Sequence, residues 1–190
     1  DEPFASVDIV LRRALRRDRR LLLREAGATV VLVTHDPAEA LDVGDRIAVM
    51  AGGRIVQAGT PQELHHAPRT AAVGAIFSGA QVATGAAAPG GIDTAFGLWP
   101  RTALIGALPD GGRLDLLVQA DRLTLVADPR GCRVRDVHAL GPRSRVLLEG
   151  AGGAQITVET AAAVDGGKTY SVLPDDASVR AFAREESRGT

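Results

Sequence analysis

Apolar residues recur near helical spacing from Asp8 to Ala26, at Val10, Leu11, Ala14, Leu15, Leu22 and Leu23, and Gly27 follows as a stop. The pattern predicts one amphipathic helix. Thr29 to Thr34 is continuously apolar and β-branched, which predicts a strand buried on both faces of a parallel sheet. A helix feeding such a strand is the alternation of an α/β domain. Pro37 to Val43 predicts a short helix, with Asp36 as N-cap and Pro37 at the first helical position. Arg46 to Met50 and Arg54 to Gln57 flank Ala51-Gly52-Gly53 and predict a hairpin. Thr60-Pro61-Gln62-Glu63 places a cap, a proline and a third-position glutamate in order, so a helix should run to about His66. A further helix is predicted from about Arg69 to Ser78, ending at Gly79.

Beyond Gly79 the periodicity changes. Gly85-Ala86-Ala87-Ala88-Pro89-Gly90-Gly91 has linker composition, and short alternating runs follow it. Strands are predicted at Leu114–Val118, Leu123–Val126, Arg133–Ala139, Ser144–Leu148, Gln155–Glu159 and Tyr170–Leu173. The turn signals between them are Pro109-Asp110-Gly111-Gly112, Asp128-Pro129-Arg130-Gly131, Gly150-Ala151-Gly152-Gly153 and Asp165-Gly166-Gly167. Their spacing predicts a small antiparallel barrel or sandwich. The expected domains are therefore 1–79, α/β, and 80–190, all-β. Apolar strand residues such as Val134, Val137, Val146, Leu148, Ile156 and Val158 are expected in the core.

The chain has 190 residues, 45% hydrophobic and 24% charged, which is ordinary for a globular protein with a sizeable core. Its net charge of -1 gives no general attraction to nucleic acid. Seven arginines do lie between Arg12 and Arg24, but aromatics are only 3% and no recognition motif accompanies them. A solvated helix face is the favoured reading, and nucleic acid is not an expected partner. The lone Cys132 excludes an internal disulfide. Cys132 and His138 supply too few ligands for structural zinc, and His65-His66 read as a helix end. No run approaches the roughly 20 apolar residues of a membrane span. With no initiator methionine and Met50 alone of its kind, the chain is expected to be truncated at its N-terminus.

Three stretches carry candidate chemistry. Asp1-Glu2 is a carboxylate pair followed by Pro3-Phe4-Ala5-Ser6-Val7-Asp8, and Val33-Thr34-His35-Asp36 places a histidine at the end of the apolar run. Adjacent parallel strands deliver functional residues at their carboxyl ends, so the two stretches would converge in an α/β sheet. Further on come Glu39-Ala40-Leu41, Asp45-Arg46-Ile47, Gly53-Arg54-Ile55 and Gly59-Thr60-Pro61-Gln62-Glu63-Leu64. In order and spacing these motifs resemble the C-terminal part of the nucleotide-binding subunit of ATP-binding cassette (ABC) importers. Asp1-Glu2-Pro3-Phe4 matches the end of the Walker B motif and Ala5-Ser6-Val7-Asp8 the D-loop. Residues 80–190 resemble, less specifically, the β-rich regulatory domain called TOBE, with a ferric-iron or polyamine type of branch suggested.

The resemblance implies a partial P-loop NTPase (RecA-like) domain followed by an OB-like barrel or sandwich. It implies ATP and Mg2+ as cofactors. Asp1 would bind Mg2+ through water, Glu2 would polarise the attacking water, His35 would contact the γ-phosphate, and Asp8 would lie at a dimer interface. The implied partners are transmembrane permease subunits, a second ATPase subunit in a homodimer and, indirectly, a periplasmic or lipoprotein solute-binding protein. The implied location is peripheral, on the cytoplasmic face of the inner (plasma) membrane. The implied work is energised uptake of a small solute, ferric iron being one candidate. The 190 residues hold no Gly-x-x-x-x-Gly-Lys-Ser/Thr loop, no Gln loop and no Ser-Gly-Gly signature, so they are expected to be inactive alone. The competing reading is a regulatory, dimerisation or small-ligand-binding module acting through the β-rich domain without catalysis.

Overall fold

The computed structural model describes residues 25, 27, 29–109 and 112–184. Most of the arginine-rich segment, together with Asp1, Glu2 and Asp8, lies outside the described residues. The chain divides into two compact units, Asp1–Arg69 with Ile76–Ser78, and Thr70–Ala75 with Gly79–Thr190. The described architecture is mixed α and β, with antiparallel sheets throughout apart from a single parallel bridge, Leu104 to Val179.

In the first unit, helix α1 (Pro37–Val43) begins at Asp36, whose side chain accepts from the N–H groups of Ala38 and Glu39. Strands β1 (Ile47–Ala51) and β2 (Arg54–Gly59) form the expected hairpin. Its two-residue connection, Gly52-Gly53, has φ of 54° and 73°, and successive positive φ values suit the twist of a tight hairpin. Helix α2 (Pro61–His66) carries a complete capping box. The Glu63 N–H donates to Thr60 Oγ1 at 3.2 Å, and the Thr60 N–H donates to Glu63 Oε2 at 2.8 Å. Leu64, on the inner side of that helix, is fully buried. Buried Gln57 fixes the turn that follows, donating to Ala67 O at 3.1 Å and accepting from the Arg69 N–H at 2.8 Å. Helix α3 (Ala71–Ser78), whose residues divide between the two units, starts at Thr70, which accepts from the Val73 N–H, and ends at Gly79.

The Thr29–Thr34 strand is not formed. Among the described residues no strand pairs with this segment, and Val30, Val31 and Val33 are 51%, 89% and 71% exposed. A strand is stabilised only by its neighbours' backbone groups and packing, so an apolar run without them has no ladder to join.

The second unit contains β3 (Gln81–Ala88), β4 (Gly91–Thr94), β5 (Gly97–Pro100), β6 (Leu114–Val118), β7 (Leu123–Leu140), β8 (Arg143–Glu149), β9 (Gln155–Thr160), β10 (Thr169–Pro174) and β11 (Arg180–Ala183). They make a five-stranded sheet in the order β11-β6-β3-β4-β5 and a four-stranded sheet in the order β10-β7-β8-β9. Ile92, Trp99, Leu114, Leu116 and Val118 from the first meet Val146, Leu148, Ile156, Val158 and Val172 from the second in one core. Each such side chain contributes roughly 1.5–3 kcal/mol by burial. Trp99 Nε1 donates to Val172 O at 2.9 Å inside that core, so the indole's one polar atom is satisfied by the opposite sheet.

Val137, expected in the core, is exposed on β7, and two loop expectations also fail here. The presumed linker Gly85–Gly91 is the second half of β3, a Pro89-Gly90 turn and the start of β4. Its glycines admit close backbones: a Cβ on Gly85 would lie 2.7 Å from Ile92 Cγ2, and one on Gly91 would strike the Trp99 carbonyl. The presumed turn Asp128–Gly131 lies inside the 18-residue strand β7. Against β10 the register jumps from Tyr170↔Ala127 to Thr169↔Arg133, so residues 128–132 bulge out of the ladder.

Candidate functional site

The corner that carries His35 is built by its neighbours. The Asp36 N–H donates to Thr34 Oγ1 at 3.0 Å, while Asp36 Oδ1 accepts from the Ala38 N–H at 2.9 Å and the Glu39 N–H at 3.4 Å. A threonine turn and an aspartate cap therefore fix the backbone on both sides of a single residue. His35 itself is exposed at the bend before α1. A neutral imidazole carries one donor and one acceptor nitrogen. Of the four residues expected to form the site, only His35 lies among those described; Asp1, Glu2 and Asp8 do not. No group of three or more His, Cys, Asp or Glu able to hold a metal ion occurs among the described residues.

A second polar cluster, unmarked as chemistry in the sequence, forms at the β7 bulge. Asp128 Oδ2 accepts from Ser171 Oγ at 2.6 Å, Asp128 Oδ1 accepts from the Arg130 N–H at 2.9 Å, and Asp128 O accepts from Thr169 Oγ1 at 2.6 Å. The Ser171 hydroxyl, followed by the Arg130 backbone N–H, holds the Asp128 carboxyl below its ordinary range. Beside it opens a cleft of about 530 Å³, lined by the bulge, by Ala95–Gly97 and by the loop Gly150–Gly153. The Asp-Pro-Arg-Gly sequence signalled a turn correctly in its local hydrogen bonding, and what it hid was the strand that continues through it. Nearby Cys132 is buried, and burial pushes its thiol pKa up.

No helix among the described residues is long and apolar enough to cross a membrane. No family model matches the chain. Over 162 residues it is 34% identical to the spermidine/putrescine import ATP-binding protein of Acidothermus cellulolyticus, covering 78% of this chain and 42% of that protein. Over 158 residues it is 35% identical to a sulfate/thiosulfate import ATP-binding protein of Chromobacterium violaceum, covering 79% and 42%. A shorter match of 82 residues is 52% identical to an Fe(3+) ions import ATP-binding protein of Pseudomonas fluorescens, covering 43% and 23%. The chain spans less than half the length of these curated relatives.

Proposed function

Because the chain is a homologue of the ATP-binding subunits of ABC importers, we propose that residues 1–79 belong to the ATPase domain of such a subunit and residues 80–190 to a TOBE-like, OB-like regulatory domain. The relatives' printed cargoes differ, namely ferric iron, polyamine, sulfate or thiosulfate, and sn-glycerol 3-phosphate. In this reading the protein energises uptake of a small solute, with ferric iron as the first candidate. It works with transmembrane permease subunits, a second copy of itself and, indirectly, a solute-binding protein, at the cytoplasmic face of the inner membrane.

Support comes from the Thr34-His35-Asp36 corner. Phosphoryl transfer depends on positioning and charge compensation more than on covalent help from the protein. A histidine fixed between a threonine turn and a capped helix meets the positioning requirement for a group that senses a terminal phosphate. Asp1 would hold Mg2+ through water and Glu2 would orient the attacking water, while Asp8 would face the second subunit. Bound Mg2+ supplies neutralisation of phosphate charge.

ATP hydrolysis by a subunit carrying a phosphate loop together with these residues tests the proposal. Glu2→Gln should abolish turnover and keep nucleotide binding, and His35→Ala should lower turnover by about two orders of magnitude. Normal turnover in either variant would sink the assignment. The 190 residues alone should show none.

A further inference from the structure

We infer that Asp165 is a site of covalent self-modification, its carboxyl closing onto the Gly166 backbone nitrogen as a succinimide that reopens to isoaspartate. The inference does not depend on the ATPase reading, since it rests on one turn of the β-rich unit.

The reaction needs an aspartate whose following residue leaves its backbone nitrogen uncovered and unbonded. Asp165 meets both conditions. Gly166 has no side chain, and nothing lies within 4 Å of the place a Cβ would take. Its N–H is bonded to no described residue, while the groups around it are engaged. The Asp165 N–H donates to Tyr170 Oη at 3.0 Å, the Gly167 N–H donates to Asp165 Oδ1 at 2.9 Å, and the Lys168 N–H donates to Asp165 O at 3.1 Å. The Gly167 bond folds the carboxyl back along the chain, over the Gly166 amide that lies between its donor and acceptor. Two groups held together in this way have already lost much of the entropy of meeting. Residues 165–168 are all exposed, and 59% of the Asp165 side chain is open to solvent, so water reaches the ring once formed.

Other aspartates fail one condition or another. Asp36 and Asp128 precede prolines, whose nitrogen has no hydrogen to give up. Asp42 lies in α1, and Asp93, Asp115 and Asp136 lie in β4, β6 and β7, where the backbone is held in its ladder. Among the described residues, no other aspartate precedes a glycine. The sequence contains no asparagine, so deamidation adds no isoaspartate of its own.

The atoms balance. The Gly166 nitrogen bonds to Asp165 Cγ, one Cγ–O bond breaks, and the amide hydrogen leaves with the carboxyl hydroxyl as water. Water then adds back. Opening at the Asp165 main-chain carbonyl carbon leaves the chain running through Cγ, and opening at Cγ restores aspartate; nothing is oxidised or reduced. Isoaspartate adds one atom to the main chain at the entry to β10, directly before Thr169, whose Oγ1 donates to Asp128 O at 2.6 Å.

The test is to age the full 190-residue chain, folded, in warm neutral buffer and digest it with trypsin. The probe is an isoaspartate-specific methyltransferase with radiolabelled S-adenosylmethionine. Peptide Val146–Lys168 holds Asp165 as its only aspartate, and Asp110 falls in a different peptide, Thr102–Arg113. Label in Val146–Lys168 should rise with age. Gly166→Val, which shields the nitrogen, should lose most of it, and Asp165→Glu, which would have to close a larger ring, should lose it altogether. Circular dichroism of both variants should match the parent, because both positions are exposed. Three results overturn the inference: no label in that peptide, label that persists at the parent rate in Gly166→Val, or label that forms only after the chain has been unfolded in urea.

Discussion

Gln81 and Thr157 form a two-way pair: Gln81 Nε2 donates to Thr157 O at 2.6 Å, and the Thr157 N–H donates to Gln81 Oε1 at 2.9 Å. One carboxamide thereby replaces a neighbouring strand at the edge of β9, and it joins β3 of the five-stranded sheet to the four-stranded sheet. Gln57 serves Ala67 and Arg69 in the same manner in the first unit. An amide side chain suits this use because it carries a donor and an acceptor side by side.

Removing that pair should be measurable. Gln81→Ala leaves two backbone groups without partners in a partly buried setting, so urea unfolding should show a loss of about 1–3 kcal/mol. Gln81→Glu replaces the donor with an oxygen facing the Thr157 carbonyl. Its destabilisation should be larger at neutral pH and should shrink as acid protonates the new carboxyl, which then donates. A Gln81→Glu protein indistinguishable from the parent at pH 7 would refute the pairing.

Trp99→Phe keeps most of the apolar volume and deletes the bond to Val172 O. Thermal or urea unfolding should register a loss of about 1–3 kcal/mol, because the carbonyl is left unsatisfied in a buried place. Trp99 is the chain's one tryptophan and is fully buried, so its emission should be blue-shifted in the native state and move red only on unfolding.

The glycines of the β-rich unit should divide by environment. A Cβ on Gly131 would meet the Tyr170 carbonyl and approach Ser171 N to 2.7 Å, both backbone atoms that cannot swing aside. Gly131→Ala should cost about 1–3 kcal/mol through forced backbone movement. Gly90 has φ of 86° but open space around it, so Gly90→Ala should cost only about 1 kcal/mol of conformational strain. Equal costs in the two variants would contradict the bulge geometry.

Acid should weaken both units through carboxyls whose folded pKa lies below the unfolded one. Glu63 is lowered first by the Thr60 backbone N–H, then by the Thr60 hydroxyl, and Asp128 by Ser171. Such groups contribute stability that is full above the ordinary carboxyl pKa and is lost as pH falls through the depressed folded value. Stability measured downward from pH 6 should therefore decline, with a shallower slope in Glu63→Gln and Asp128→Asn. An unchanged slope in both would remove these groups from the acid response.

Cys132 should resist alkylation by iodoacetamide in the native protein and react at the ordinary rate in urea, since its thiol is both buried and held protonated. Rapid native labelling would mean that the bulge opens.

How far the sequence could be read depended on the range of the forces involved. The caps at Asp36 and Thr60, the Gly52-Gly53 turn and strand β6 were legible because each is decided within a few residues. The strand at Gln81–Ala88 was hidden because its Gly85 is explained only by the close approach of Ile92, Asp93 and Thr94 on the next strand. Asp128–Gly131 has every local mark of a turn, and only its bonds to Thr169 and Ser171, more than forty residues away, keep it within a strand. Thr29–Thr34 shows the opposite failure, since strong strand character produced no strand without a ladder beside it. At the candidate site, His35 could be read from its place between the apolar run and the helix cap.

The ties between the two sheets bear on how the chain reaches this state. Gln81 and Thr157 are 76 residues apart, and Trp99 and Val172 are 73 apart. Hairpins such as β7–β8 and β8–β9 can close early, but neither tie can form until most of the chain between its partners has been ordered. The β-rich unit should consequently fold on the millisecond-to-second scale typical of non-local β topologies, with tryptophan burial among the last events.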